Sequence, residues 1–130
     1  MKKSAFTMIE LVFVIVVLGI LAAVAIPKFA ATRTDAKISS ALATVAAVRS
    51  GIVSERQKRL LRGNSSYITS LTNTSTFDNV LTYKVKNWSK GSGETYTVNI
   101  DGTTCSFSYN NTNGTFNLST SGNSICDKLD

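Results

Sequence analysis

Phe6-Thr7-Met8-Ile9-Glu10-Leu11-Val12-Phe13-Val14-Ile15-Val16-Val17-Leu18-Gly19-Ile20-Leu21-Ala22-Ala23-Val24-Ala25-Ile26 holds 21 residues and one charge, Glu10. As a helix this run is about 31 Å long, close to the thickness of a bilayer's hydrocarbon layer. Lys2 and Lys3 precede it and Pro27 follows it. A short basic start before an apolar run is also the pattern of a secretory signal, and Ala23-Val24-Ala25 supplies small residues for a cut. Cleavage after Ala25 would release the remainder as a soluble protein.

Three features favour retention of the run as an anchor. Its length exceeds the roughly 7 to 15 apolar residues of a signal peptide. Glu10 lies within it, and a charge well inside a membrane costs roughly 2.5 to 3.5 kcal/mol even on lenient scales, so such a residue usually has a partner. The bland alternative places Glu10 near the headgroups, in the favourable first turn of a helix. Finally, helical periodicity continues past Pro27, with Phe29, Ile38, Leu42, Val45, Ile52 and Leu60 three or four residues apart or at multiples of that spacing. Gly63-Asn64 is the natural stop. A single helix over residues 6–62 would be roughly 85 Å long, more than a domain of this size can cover, so its first half is expected to protrude.

The chain's 130 residues fit one domain, and the 43% apolar content conceals a division between this N-terminal run and a Ser/Thr/Asn/Gly-rich remainder. Fourteen basic and eight acidic residues give a formal charge of +6, which falls to +4 without Lys2 and Lys3. Neither Lys2 and Lys3 before the run nor Arg49, Arg56, Lys58, Arg59 and Arg62 after it form a nucleic-acid stripe by themselves. Cys105 and Cys126 follow an export-type N-terminus, which favours a disulfide in an oxidising compartment. With no CxxC spacing and no histidine, a redox or zinc site finds little support.

Residues 64–79 form a polar connector whose anchors are Tyr67, Ile68, Leu71 and Phe77. Alternation then marks strands: Leu81, Tyr83 and Val85, then Tyr96, Val98 and Ile100, then Cys105, Phe107 and Tyr109, then Phe116 and Leu118. Asp101-Gly102 and Asn113-Gly114 are hairpin signals, and residues 90–93 form a looser turn. The expected architecture is α+β: a long N-terminal helix whose second half, 28–62, packs Ile38, Leu42, Val45 and Ile52 against a four-stranded antiparallel meander within 81–120. Closing residues 105–126 with a disulfide would staple the tail to the third strand.

The order Lys2-Lys3-Ser4-Ala5-Phe6-Thr7-Met8-Ile9-Glu10-Leu11, followed by Val17 to Pro27, resembles the N-terminal signal and helix of type IV pilins and type II secretion pseudopilins. The resemblance implies the pilin fold and a five-residue leader, 1–5. A membrane prepilin peptidase would cut between Ala5 and Phe6, and Phe6 would be N-methylated. The family usually has Gly where this chain has Ala5, the smallest alternative. The resemblance further implies an inner-membrane or filament-core segment over 6–27 and a globular domain over 28–130 facing the periplasm or the cell exterior. Glu10 would pair with the Phe6 amine of a neighbouring subunit in a homo- or hetero-oligomeric filament. Gly19 and Pro27 are weak points of the helix, a kink in the free subunit or a stretch that melts on assembly. Residues 106–125 become the candidate exposed contact loop.

No catalytic role, cofactor or metal is expected, since no nucleophile motif, phosphate-binding glycine loop or convergent carboxylate pair is visible. Extraction force would come from a separate assembly ATPase and platform. The short chain and plain C-terminal half favour a type II secretion pseudopilin; a type IV or competence pilin for adhesion, motility or DNA uptake is the alternative. Two weaker features are a candidate DNA patch of Tyr83, Lys84, Lys86, Trp88 and Lys90, and a candidate calcium cluster of Asp101, Asp127 and Asp130. Asn64 and Asn117 begin glycosylation-type triplets of the kind expected by chance in so polar a tract.

Overall fold

A computed structural model describes residues 4–130. The chain divides into two units, one ending at Asp35 and the other Ala36–Asp130. Helix α1, Met8–Leu61, supplies most of the first unit and continues into the second.

In the first unit the helix presents its apolar side chains on every side, with Phe13, Leu18, Leu21 and Ile26 all exposed. A helix apolar all round has no core to make with itself, so it calls for an apolar surrounding. Its N-terminal part is long and apolar enough to cross a membrane. The backbone stays helical through Gly19 and Pro27.

In the second unit the helix buries one stripe made of Ile38, Ala41, Val45, Val48 and Ile52. Leu42, expected in that stripe, is instead 42% exposed. It lies one residue beyond Ala41, about 100° around the helix, and Ala41 and Val48 take the inner positions. Gly51 is there for space: a Cβ on it would lie 2.5 Å from the carbonyl oxygen of Val80. The helix ends in a Schellman motif, Gly63 N–H to Leu60 C=O at 2.9 Å and Asn64 N–H to Arg59 C=O at 2.9 Å, with Gly63 at φ 78°.

Four strands follow: β1 Trp88–Lys90, β2 Thr95–Ile100, β3 Thr103–Asn110 and β4 Thr115–Leu118, antiparallel neighbours in the order β1-β2-β3-β4. Side chains alternate as the pleat requires, with Tyr96, Val98, Ile100, Cys105, Phe107, Tyr109 and Phe116 turned inward. The expected first strand over Leu81 to Val85 does not form. Pairing of Trp88 with Val98 sets the register, so residues before Lys86 run past the end of β2 at Ile100, and Asn87 breaks the ladder with φ 64°.

Between helix and sheet, the connector sends Ile68, Leu71 and Phe77 into the core. Phe77 is fully buried, stacked on Tyr96 at 4.8 Å and edge-on to Trp88 at 5.3 Å. Its φ of 66° is uncommon for so bulky a residue. The neighbouring Asp78 holds the bend by accepting from the backbone N–H groups of Asn73 (2.6 Å), Thr74 (2.8 Å) and Ser75 (3.0 Å). These same bonds, led by that from Asn73, keep its carboxyl below the usual carboxylate range.

Candidate assembly site at the start of the helix

Thr7 and Glu10 form a capping box. The Thr7 backbone N–H donates to Glu10 Oε2 at 2.8 Å, and the Glu10 N–H donates to Thr7 Oγ1 at 3.3 Å. Two amide donors that a helix start leaves orphaned are thereby satisfied. Glu10 thus has a partner within its own chain as well as a further carboxylate oxygen open to a second donor. The Thr-x-x-Glu spacing announces this arrangement in the sequence, and reading Glu10 only as a charge in search of a neighbour passes over it. Ala5 and Phe6 precede the helix and are exposed, Phe6 at 88%. The junction between them is therefore open, and the five residues 6–10 separate it from Leu11, where the uncharged part of the apolar run begins.

At the other end of the chain Cys105 and Cys126 form a disulfide, both fully buried, with Cα atoms 5.4 Å apart. The bond ties β3 to the short 3-10 helix Cys126–Leu129. Arg49 reinforces the same corner: its Nε donates to the Phe116 carbonyl at 3.0 Å and its guanidinium pairs with Asp130. Of the three aspartates considered for calcium, Asp101 pairs with Lys37 and Asp130 with Arg49. Separate cations on the helix hold them, and among the described residues no group of three or more potential ligands converges.

Trp88 is buried in the aromatic core and cannot stack on a nucleic-acid base. This removes the aromatic centre from the expected DNA patch. Lys90 is likewise engaged: with Tyr96 Oη (2.8 Å), Leu71 N (3.3 Å) and its own Nζ (3.0 Å), it converges on Glu94. Partial burial pushes the Glu94 carboxyl up, but the bonds from Tyr96, Lys90, Ser70 and Leu71 outweigh it and hold the group below its ordinary value. What is left of the patch, Tyr83, Lys84 and Lys86, borders an open cleft of about 380 Å³ against the helix residues Lys37 and Thr44.

Residues 1–26 match the model of a family described as the prokaryotic N-terminal methylation motif. That motif, together with the relative described next, supports a type IV pilin or pseudopilin family for the chain. A curated relative from Thermus thermophilus, described as type IV narrow pilus major component PilA5, is 48% identical over 50 residues, 38% of this chain and 43% of that protein. The match therefore spans less than half of the relative's length. No solved structure matches the chain. Set beside the motif, the architecture is an α+β pilin-like fold: one long apolar N-terminal helix and a small four-stranded antiparallel sheet. An apolar N-terminal helix that begins within this motif fits anchoring in the inner membrane.

Proposed function

We propose that this pilin-like chain is a structural subunit of a type IV pilus, cut between Ala5 and Phe6 by a prepilin peptidase and methylated on Phe6. The observation that carries this reading is the methylation motif over residues 1–26, within which α1 begins and has its first turn capped by Thr7 and Glu10. Residues 1–5 are the leader, 6–27 the segment held first in the inner membrane and then in the filament core, and 28–130 the domain on the periplasmic or exterior side. A pilus is preferred over the secretion pseudopilin that chain length favours, because the curated relative is described as a major component of a narrow pilus.

Assembly follows from charge. Cleavage creates an amine at Phe6 whose ordinary pKa is near 8, so it is mostly protonated at neutral pH, and methylation leaves it basic. A cation and a carboxylate, each costly in hydrocarbon, cost less as a pair. The Thr7 amide engages one oxygen of Glu10 and leaves the second for a neighbour's amine. Before cleavage Phe6 has no amine, so processing licenses polymerisation.

The test replaces Glu10 by Ala and by Gln and scores membrane insertion separately from sheared filaments. Both variants should insert and be processed, with Phe6 at the mature N-terminus by mass spectrometry, and both should lose most of the filament. Wild-type filament yield from Glu10→Ala would overturn the pairing role. Mature protein beginning at Ile26 would overturn the filament reading altogether.

A further inference from the structure

Four cations of the second unit are neutralised by carboxylates: Lys37 pairs with Asp101, Arg49 with Asp130, Lys58 with Glu55 and Lys90 with Glu94. Lys84 and Lys86, both exposed, have no carboxylate partner among the described residues and stand beside the cleft. They sit two residues apart on the segment whose alternation reads as a strand. Among the described residues no hydrogen bond reaches a backbone N–H or C=O of Thr82 through Lys86. The segment leads into β1, an outer strand that pairs with β2 alone. The open cleft of about 380 Å³ lies alongside, with Tyr83, itself 56% exposed, in its lining.

Lysines on a sheet edge commonly serve to keep it from pairing with a copy of itself. Here that effect selects the occupant. Two copies meeting edge to edge would set Lys84 and Lys86 against the same lysines, and like charges opposite one another are destabilising. Nor can another copy offer an acidic strand, because the eight carboxylates of this sequence, from Glu10 to Asp130, are scattered singly with none closer than three residues to the next. The unpaired main-chain groups favour an extended segment, and lysines two apart favour carboxylates at alternate positions facing them.

We propose that the Thr82–Lys86 segment leading into β1, with the cleft beside it, forms a docking site for an extended acidic segment of a different protein. The segment adds main-chain hydrogen bonds along the edge, seats its carboxylates on Lys84 and Lys86, and lays a side chain against Tyr83. Charge sets partner choice and the open backbone sets register.

The full-length chain in detergent micelles is titrated by fluorescence anisotropy with a labelled peptide of six Glu-Thr repeats. Parallel arms use six Gln-Thr repeats, the Glu-Thr peptide N-methylated at alternate residues, and an oligothymidylate of similar length. The Glu-Thr peptide should bind. Lys84→Glu/Lys86→Glu should weaken it at least about tenfold, as expected for reversing a charge-complementary contact, whereas Lys128→Glu should leave it unchanged. The Gln-Thr and N-methylated peptides should both bind less well. Equal binding to the double variant overturns the site, and indifference to N-methylation overturns edge pairing in favour of plain charge attraction. Tighter binding of oligothymidylate through the same two lysines would reassign the surface to nucleic acid. An unchanged urea midpoint of the double variant keeps these outcomes free of any folding defect.

Discussion

Gly114→Ala should destabilise the domain by about 2 to 5 kcal/mol, and the cost should divide into two separable parts. Gly114 closes the β3–β4 turn at φ 74°, where a Cβ costs about 1 to 2 kcal/mol. The new methyl would also be driven into Cδ1, Cε1 and Cζ of the Tyr67 ring. That ring has little room to retreat, since the Arg56 guanidinium lies 3.9 Å from its centroid. Overpacking of this kind costs about 1 to 3 kcal/mol. Urea unfolding in detergent, followed by the fluorescence of Trp88, the chain's one tryptophan, reads the loss. In a Tyr67→Ala background only the backbone part should remain, about 1 to 2 kcal/mol. If Gly114→Ala costs the same in both backgrounds, the collision with Tyr67 is not the cause and the packing argument fails.

Burial pushes the phenols of Tyr96 and Tyr109 up to about 12, with the Glu94 charge acting in the same direction on both. Because the unfolded phenols ionise near 10, their contribution is complete below that pH and is lost as pH rises from about 10 towards 12. Tyr96→Phe or Tyr109→Phe should flatten the alkaline fall of the urea midpoint, with ultraviolet absorbance of the phenolate reporting the ionisation. Glu94 runs the opposite way: its depressed carboxyl lends stability above its unfolded value that disappears as pH falls through the folded one, so Glu94→Gln should be less acid-sensitive than the parent. Reducing the Cys105–Cys126 bond, or replacing both by Ser, should cost about 3 kcal/mol in equilibrium unfolding for a closed segment of this length.

The helix was legible from apolar content, periodicity and the Gly63-Asn64 stop, and the last three strands from alternation and their two Asx-Gly turns. What the sequence could not convey was partnership. Leu81, Tyr83 and Val85 alternate as well as any strand, but a strand needs a facing backbone, and the register that starts at Trp88 and Val98 leaves none. Leu42 and Ala41 cannot be ranked by hydrophobicity, because the helix's rotation against the sheet decides which is covered. Trp88 reads as a surface aromatic among lysines, and only the packing of Phe77, from the connector, shows it to be core. At the candidate assembly site the residues were legible, and the Thr7-x-x-Glu10 box was present in the letters as well, overshadowed by the membrane cost of the carboxylate.

That box bears on the time a subunit spends waiting. An acid with no ally inside a bilayer would press for immediate relief, by protonation, expulsion or pairing with whatever came near. Glu10 is at ease with Thr7. Under the proposed pilus function, a population of such chains would accumulate in the membrane without being driven into premature aggregates, and growth would wait until the remaining oxygen met the amine of a processed neighbour.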